Sequence, residues 1–174
     1  MNIALCGMMG VGKTSVGIEV ARMLNRQWYD TDMIITDRYG KISDLFEYYG
    51  EEHFRRLETQ VTNELCAMDN LVISTGGGLV LRLENSVALR NKGVIVFLRA
   101  RAETLMERVT ANESRPLLRE NMEERIRELV KKRYPIYEGT ADVIVDTDGK
   151  SVKEVAEELV AKVKAYRPSR RKVL

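Results

Sequence analysis

The chain has 174 residues, of which 44% are hydrophobic, and this is enough for one compact domain with a buried core. Its 28 basic and 26 acidic residues nearly cancel to a net charge of +2, so the overall charge gives no reason to expect nucleic acid or an anionic membrane as a partner. The two cysteines, Cys6 and Cys66, indicate buried thiols instead of a disulfide framework. With no signal sequence and no apolar run long enough to cross a bilayer, we expect a cytoplasmic protein, and we expect it to be a monomer.

The first predicted element is a buried strand that leads directly into a glycine-rich loop. Residues 3–6 are apolar, and Gly7-Met8-Met9-Gly10-Val11-Gly12-Lys13-Thr14 follows them with the spacing Gly-x4-Gly-Lys-Thr. Apolar residues then recur at helical spacing, at Val16, Val20, Met23 and Leu24. This setting favours a phosphate-binding loop over an ordinary glycine turn. The dinucleotide-binding pattern does not fit, because Ser15 stands where that pattern requires a glycine.

The loop predicts a site for a nucleotide and a magnesium ion. Its glycines let successive backbone N–H groups point at phosphate oxygens, and the following helix adds the partial positive charge of its N-terminus. Lys13 is placed to reach the outer phosphates, and the Thr14 hydroxyl is placed to contact magnesium.

Apolar, β-branched runs recur along the rest of the chain and predict further buried parallel strands. They lie near Trp28-Tyr29 and at residues 71–74, 94–98 and 143–145. Stripes of apolar residues at helical spacing separate them. These stripes are Phe54, Leu57, Val61 and Leu65; Ala102, Leu105, Met106 and Val109; and Val152, Val155, Ala156, Leu159 and Val163. The alternation predicts a parallel sheet wrapped by helices, with ligands at the carboxyl ends of the strands.

Two aspartates follow the second predicted strand, in Asp30-Thr31-Asp32. The end of that strand and the phosphate-binding loop lie at the same edge of the predicted sheet, where two carboxylates suit a metal ion and a substrate. Either aspartate can instead cap the helix that follows. Residues 31–60 carry extra helices before the third strand, at the face where substrate pockets belong.

Three consecutive glycines follow the third predicted strand, in Ser74-Thr75-Gly76-Gly77-Gly78. Glycines have no side chain to pack, but they permit the backbone to approach a ligand closely. We interpret this segment as a ligand-facing loop, and a plain flexible turn is the alternative.

Two arginines on different predicted helices are candidates for a carboxylate clamp. Arg55 lies three residues before Glu58, a spacing that lets the acid hold the guanidinium in place. Arg133 continues an apolar stripe formed by Ile126, Leu129 and Val130, so it points towards the body of the protein. A planar guanidinium binds a carboxylate through two parallel hydrogen bonds. Each arginine taken alone also fits a solvated surface position.

A polar, charged insertion around Arg115-Pro116-Leu117-Leu118 interrupts the alternation of strand and helix. An arginine in a lid would neutralise charge on a transferring phosphoryl group, and closure of the lid would exclude water. A solvated loop arginine is the alternative. The basic tail at the end of the chain is short, which favours a frayed terminus over an arm that binds nucleic acid.

These ordered motifs resemble those of the shikimate kinases over residues 2–165. They are the phosphate-binding loop, Asp30-Thr31-Asp32, Phe54-Arg55-Arg56-x-Glu58, the glycine triplet, Arg115-Pro116-Leu117-Leu118, Arg133-x-Pro135-x-Tyr137 and Val145-Asp146-Thr147. The resemblance implies an α/β P-loop kinase fold with three layers, α/β/α, around a five-stranded parallel sheet of order 2-3-1-4-5. It also implies one kinase domain over residues 1–174, comprising a core (1–30 and 61–109), a substrate-binding subdomain (31–60), a lid (110–121), a C-terminal helix with the adenine loop (122–166) and a basic tail (167–174).

The resemblance also implies ATP and Mg²⁺ as cofactors and a role for each site residue. The implied ATP contacts are Gly10, Val11, Gly12, Lys13, Thr14, Ser15, Arg108, Arg115 and Lys150. Thr14 would ligate the metal directly and Asp30 would hold it through water. The implied shikimate contacts are Asp32, Arg55, Gly77, Gly78 and Arg133, with Glu58 orienting Arg55. Lys13, Asp32 and Arg115 are the implied catalytic residues.

The implied reaction is the transfer of the ATP γ-phosphoryl group to the 3-hydroxyl of shikimate, in chorismate and aromatic amino-acid biosynthesis. Shikimate and ATP are then the partners, without nucleic acid or membrane. A gluconate kinase or nucleoside monophosphate kinase shares the loop but has no need for Asp32, Arg55 and Arg133 together. A nucleotide-dependent switch protein requires partner surfaces, whereas the glycine triplet and the inward arginines describe a pocket.

Overall fold

A parallel sheet of five strands lies at the centre of the fold, in the order β2-β3-β1-β4-β5. The computed structural model describes residues 1–110 and 116–167, with the backbone alone for residues 116–121. The strands are β1 (Asn2–Cys6), β2 (Gln27–Asp30), β3 (Leu71–Ser74), β4 (Gly93–Arg99) and β5 (Val143–Asp146). The helices are α1 (Lys13–Leu24), α2 (Thr31–Tyr39), α3 (Ile42–Cys66), α4 (Leu83–Lys92), α5 (Ala102–Thr110), α6 (Pro116–Thr140) and α7 (Val152–Ala165), with a 3₁₀ turn at Leu79–Leu81.

The parallel strands and their order require crossover connections, and these carry helices to both faces of the sheet. Helices α1 and α7 pack together on one face, and α3 and α4 pack together on the other. Every residue of β1 and β3 is buried, whereas β2 at the edge is only partly covered. The predicted three-layer α/β/α architecture and strand order are therefore confirmed.

The register of the strands brings their carboxyl ends to one edge of the sheet. Leu5 of β1 pairs with Ser74 of β3, and Ser74 pairs in turn with Asp30 of β2. The loops that follow these three strands therefore start side by side, as parallel pairing at the switch point of such a sheet requires. They are the phosphate-binding loop, the glycine triplet and the pair of aspartates.

The predicted helical stripes are buried or partly buried, except for Met23 of α1 and Val152 of α7, which are exposed. Val16 and Val20 lie in the core, but in the last turn of α1 Leu24 packs against the core and Met23 is exposed. The four predicted apolar residues of α3 are all buried. Ser151 and Glu154 form the two reciprocal hydrogen bonds of a capping box at the start of α7. None of the helices in the described ranges is both long and apolar enough to cross a membrane.

Two helices occupy the predicted extra segment between β2 and β3, and the second of them is broken. Gly50 has φ 78° and ψ 169° inside α3, so the helix is interrupted there and restarts at Glu51. A side chain at position 50 would meet nothing within 4 Å, so glycine is favoured there by the positive φ of the backbone and not by crowding. In the segment predicted as a lid, residues 116–121 form the start of α6, and residues 111–115 lie outside the described residues.

Candidate active site

The loop after β1 turns tightly enough to require its glycines. Gly7, Gly10 and Gly12 have φ of 140°, 75° and 99°, a region that favours glycine. A Cβ on Gly7 would lie 2.5 Å from the Leu98 carbonyl oxygen of β4, so the loop rests directly against the sheet. Gly12 stands at the N-terminus of α1. The loop and the helix N-terminus thus form the concave, donor-lined shape that binds phosphate.

Lys13 bends back over this loop. Its Nζ donates to the carbonyl oxygens of Gly7 at 2.9 Å and Met8 at 3.0 Å. Loss of solvent contact lowers the pKa of the ammonium, and the nearby charges of Asp32 and Asp30 act in the opposite direction. The ammonium is therefore held at the mouth of the loop, beside the acidic pair.

The two carboxylate oxygens of Asp30 accept hydrogen bonds from different partners. Its Oδ1 accepts hydrogen bonds from the backbone N–H groups of Asp32 at 3.0 Å and Met33 at 3.3 Å, which caps α2. Its Oδ2 accepts a hydrogen bond from the Thr14 hydroxyl at 3.1 Å. The helix cap that the sequence left open is therefore present, and it leaves the second carboxylate oxygen facing the phosphate-binding loop.

Asp32 and Glu58 converge on the first glycine of the triplet. A Cβ on Gly76 would lie 2.5 Å from Asp32 Oδ1 and 2.9 Å from Glu58 Oε1, so only glycine fits between them. Neither of these two buried oxygens has a hydrogen-bond partner in the described structure. Burial raises the pKa of both carboxyl groups. Two acceptors without donors beside the glycine triplet are suited to hydroxyl groups.

Arg55 lies above the last glycine of the triplet and is held by two acids. Its Nη1 donates to Glu58 Oε2 at 2.8 Å, and its Nη2 donates to Glu51 Oε1 at 2.8 Å. A Cβ on Gly78 would overlap the guanidinium, so glycine is needed for this close approach. The contact with Glu58 is the one predicted from the spacing of the two residues. The contact with Glu51 was not predicted, although the spacing of four residues was a signal for it.

Arg133 approaches the same glycines from α6. Its Nη1 lies 3.6 Å from the position of a Cβ on Gly77. Four residues further along α6, the fully buried Tyr137 donates its hydroxyl to the Gly77 carbonyl oxygen at 2.5 Å. The predicted pair of arginines is thus brought together around the glycine triplet. Tyr137 belongs to a motif noted in the sequence, but nothing in that motif predicted this contact.

Arg108 joins the phosphate-binding loop to the loop after β5. Its guanidinium donates to the Val11 carbonyl oxygen at 3.3 Å and to Thr147 Oγ1 at 3.0 Å. The groove beside it is lined by Gly10, Gly12, Ser15, Arg108, Thr147, Lys150 and Val152 among others. Lys150 lies on the rim of this groove, where its Nζ is already engaged by Glu158 Oε2 at 2.6 Å and by the Asp146 carbonyl oxygen at 2.9 Å.

A second recess adjoins this groove and shares Gly10, Gly12 and Arg108 with it. It is lined further by Lys13, Thr14, Asp30, Asp32 and Thr75. The groove therefore continues past the phosphate-binding loop to the two aspartates. Of the predicted site residues, Arg115 lies outside the described residues.

The fold and this arrangement of loop, carboxylates and arginines define the class of protein as a P-loop kinase that acts on a small molecule. A family model described as shikimate kinase matches residues 9–164. The chain belongs to the shikimate kinase family.

Individual relatives agree with this assignment. The chain is 44% identical over 161 residues to a shikimate kinase of Caldanaerobacter subterraneus subsp. tengcongensis, covering 91% of this chain and 94% of that protein. It is 45% identical over 161 residues to a shikimate kinase of Thermodesulfovibrio yellowstonii, covering 91% and 92%. Among solved structures, the shikimate kinase from Acinetobacter baumannii in complex with shikimate matches with a TM-score of 0.87 and 35% identity, covering 97% of this chain and 95% of that one.

A more distant likeness concerns the fold alone. A gluconokinase from Sinorhizobium meliloti matches with a TM-score of 0.59 and 16% identity, covering 94% of this chain and 91% of that one. The similarity therefore gives no support for gluconate as an acceptor.

Proposed function

We propose that this protein transfers the γ-phosphoryl group of ATP to the 3-hydroxyl of shikimate, giving shikimate 3-phosphate and ADP. The observation that carries the proposal is the convergence of Arg55 and Arg133 on the glycine triplet, next to Asp32. Membership of the shikimate kinase family and the likeness to a shikimate-bound relative support it. The arginines supply donors for a carboxylate, and the orphan oxygens of Asp32 and Glu58 supply acceptors for hydroxyl groups.

The nucleotide would lie along the groove beside Arg108, with its phosphates in the loop between Gly7 and Thr14. Backbone N–H groups of the loop would hold the phosphate oxygens, and Lys13 would leave its carbonyl partners to contact the outer phosphates. Arg108 would lie against the adenine, and Lys150 on the rim would complete that part of the site.

Thr14 and Asp30 fit a magnesium ion. Their side-chain oxygens face each other at 3.1 Å, and hard oxygen donors of this kind suit Mg²⁺, which keeps several waters and takes one or two protein ligands plus phosphate. Among the residues whose side chains are described, no cluster of three or more His, Cys, Asp or Glu residues forms a separate metal site. When bound, the ion would neutralise the charge that develops on the phosphates. We propose that Thr14 ligates it directly and that Asp30 holds it through water.

Asp32 would orient the accepting hydroxyl. Burial and the charge of Asp30 raise the pKa of its carboxyl group, which makes the carboxylate a stronger acceptor for the hydroxyl proton than an exposed aspartate. Phosphoryl transfer depends mainly on positioning and charge neutralisation, so we propose that Lys13 supplies positive charge at the transferring group. From its place in the sequence, we propose Arg115 as the lid residue that adds to it on closure.

We also propose that the protein acts as a cytoplasmic monomer, with shikimate and ATP as its partners and with neither nucleic acid nor membrane. Both cysteines are buried and free, which suits a reducing compartment. Burial raises the pKa of Cys6 to about 12, so its thiol stays protonated beneath the phosphate-binding loop.

Steady-state kinetics of two arginine variants test the proposed function. Arg55→Ala and Arg133→Ala should each raise the KM for shikimate by at least about tenfold, since each removes charge-assisted hydrogen bonds to a carboxylate. The KM for ATP should change little. Arg56→Ala serves as the matched control, because Arg56 is an exposed neighbour on the same helix. Unchanged shikimate kinetics in both Arg55 and Arg133 variants would contradict the clamp.

A further inference from the structure

Glu51 already occupies one edge of the Arg55 guanidinium. Its Oε1 accepts hydrogen bonds from both Nε at 3.2 Å and Nη2 at 2.8 Å. Adjacent N–H groups of this kind are the ones that arginine uses for carboxylates. A guanidinium has five N–H donors, so with Glu58 on Nη1 only two of them remain for a ligand. In this structure a carboxylate of the protein itself therefore occupies one of the edges through which Arg55 can bind the carboxylate of an acceptor.

The two acids that hold Arg55 differ in how firmly they are fixed. The side chain of Glu58 is 1% exposed, and that of Glu51 is 66% exposed. Separating Glu58 from Arg55 would leave a buried charge without a partner, which is costly. The Glu51 side chain can rotate into solvent and lose only one surface ion pair, which is a weak interaction. Within the described part of the chain, Arg55 is the ion-pair partner of Glu51. Glu51 is thus the exchangeable one of the two.

Glu51 follows directly after the break in α3. Helix α3 restarts directly after Gly50, so Glu51 lies in the first turn of the new segment and Arg55 lies one turn further on. A glutamate that precedes an arginine by four residues has the favourable orientation for such a pair. The same break leaves Glu51 at a helix start, where its side chain has room to move away.

We propose that Glu51 is an internal carboxylate that neutralises Arg55 while the pocket is empty and that the carboxylate of the acceptor displaces it. This inference rests on the proposed function, since it requires an acceptor that carries a carboxylate. Exchange of one carboxylate for another preserves the charge balance around Arg55, so a charged acceptor can enter. An uncharged polyol has no carboxylate that could replace that of Glu51. Arg55 therefore stays paired with Glu51 when a polyol is offered. Glu51 in this way competes with the acceptor carboxylate for Arg55, so it lowers the affinity for charged acceptors and has less effect on the affinity for neutral ones.

Calorimetric titration of Glu51→Gln with shikimate, and with its methyl ester as a neutral acceptor, tests the exchange. The glutamine keeps the size of the side chain and removes its charge, so we expect shikimate to bind about two- to fivefold more tightly than to the wild type. Affinity for the methyl ester should rise by a smaller factor. Glu52→Gln is the matched control, since Glu52 is an equally exposed neighbour that pairs with Arg82 instead of Arg55. It should leave both affinities unchanged.

The outcomes separate the two proposals. A wild-type protein that phosphorylates shikimate, together with a Glu51→Gln variant that binds shikimate equally or less tightly, would overturn the exchange alone. An equal gain for shikimate and the ester would also overturn it, because the gain would then not depend on the acceptor carboxylate. A wild-type protein that does not phosphorylate shikimate would instead contradict the proposed function.

Discussion

The hydroxyl of Tyr137 and the carbonyl oxygen of Gly77 lie 2.5 Å apart, and this hydrogen bond joins the last turn of α6 to the loop after β3. Tyr137 is fully buried, and it packs against Phe97 of β4 with ring centroids 5.1 Å apart. Arg133 lies one turn earlier in α6. One buried tyrosine therefore fixes both the backbone that a ligand would approach and the helix that brings an arginine to it.

Replacing Tyr137 by phenylalanine should impair acceptor binding more than nucleotide binding. The change removes one donor and leaves the Gly77 carbonyl oxygen unpaired, which costs about 1–3 kcal/mol. We expect the KM for shikimate to rise about five- to tenfold while the KM for ATP stays within about twofold. Tyr134→Phe is the control, because the Tyr134 hydroxyl donates to the Ala100 carbonyl oxygen, away from the glycine triplet. An equal rise in the KM for shikimate and the KM for ATP would contradict this prediction and would indicate a general loss of stability instead.

An alanine at position 78 should disable the acceptor site by steric overlap alone. Gly78 has φ −95°, which any residue adopts, so backbone strain plays no part. Its Cβ would occupy the space of the Arg55 guanidinium, and we expect the KM for shikimate to rise about tenfold or more. Gly139→Ala is the matched control, since a Cβ there meets nothing within 4 Å. That helical substitution should raise the free energy of unfolding by about 0.5–1 kcal/mol and leave the kinetics unchanged.

Asp32→Asn should stabilise the protein in a way that depends on pH. Burial, and then the charge of Asp30, raises the pKa of Asp32 in the folded state, so ionising it costs folding free energy. Below the unfolded-state pKa both proteins carry a neutral side chain and should be equally stable. As the pH rises through the raised pKa, only the wild type loses stability, so the advantage of the variant should grow towards neutral pH.

Thermal unfolding at a series of pH values measures that difference, with Asp37→Asn as an exposed control on the same helix. A gap between Asp32→Asn and wild type that stays constant from acidic to neutral pH would contradict the assigned burial effect. The same variant should lower kcat about 100-fold, because the accepting hydroxyl loses its carboxylate partner.

Arg108→Ala should weaken the nucleotide site selectively. The guanidinium ties the phosphate-binding loop at Val11 to the loop at Thr147, and its loss leaves both ends of the groove less fixed. We expect the KM for ATP to rise about tenfold with little change for shikimate. Arg22→Ala, an exposed arginine on α1, should affect neither substrate. A rise in the shikimate KM equal to that for ATP would argue against a nucleotide-specific role.

Much of the fold could be predicted because its signals are local. The strands β1, β3, β4 and β5 appear in the sequence as short apolar runs, and the structure extends three of them by one or two residues. The predicted burial of Met23 and Val152 was wrong, because helical spacing identifies a face but does not say how far along the helix the core reaches. The sequence also could not predict that Asp30 both caps α2 and contacts Thr14. Those two contacts depend on the direction in which each carboxylate oxygen points.

The contacts that shape the acceptor pocket depend on tertiary packing. Tyr137 and Gly77 are 60 residues apart in the chain, so no local pattern pairs them. Glu51 lies four residues from Arg55, a spacing that permits the pair, but the break at Gly50 that puts Glu51 at a helix start is seen only in the structure. Sequence patterns thus identify which residues carry the chemistry, while the geometry that makes them selective arises from the fold.

The measurement that tests the central claim most directly is an acceptor panel with ATP and magnesium, in which ADP release is followed and the phosphorylated product is identified by mass and by NMR. We predict that shikimate is the best acceptor in a panel with gluconate, nucleoside monophosphates and shikimate methyl ester, and that the product is shikimate 3-phosphate. Faster turnover of gluconate or of a nucleotide than of shikimate, or nucleotide hydrolysis that no acceptor stimulates, would contradict the account.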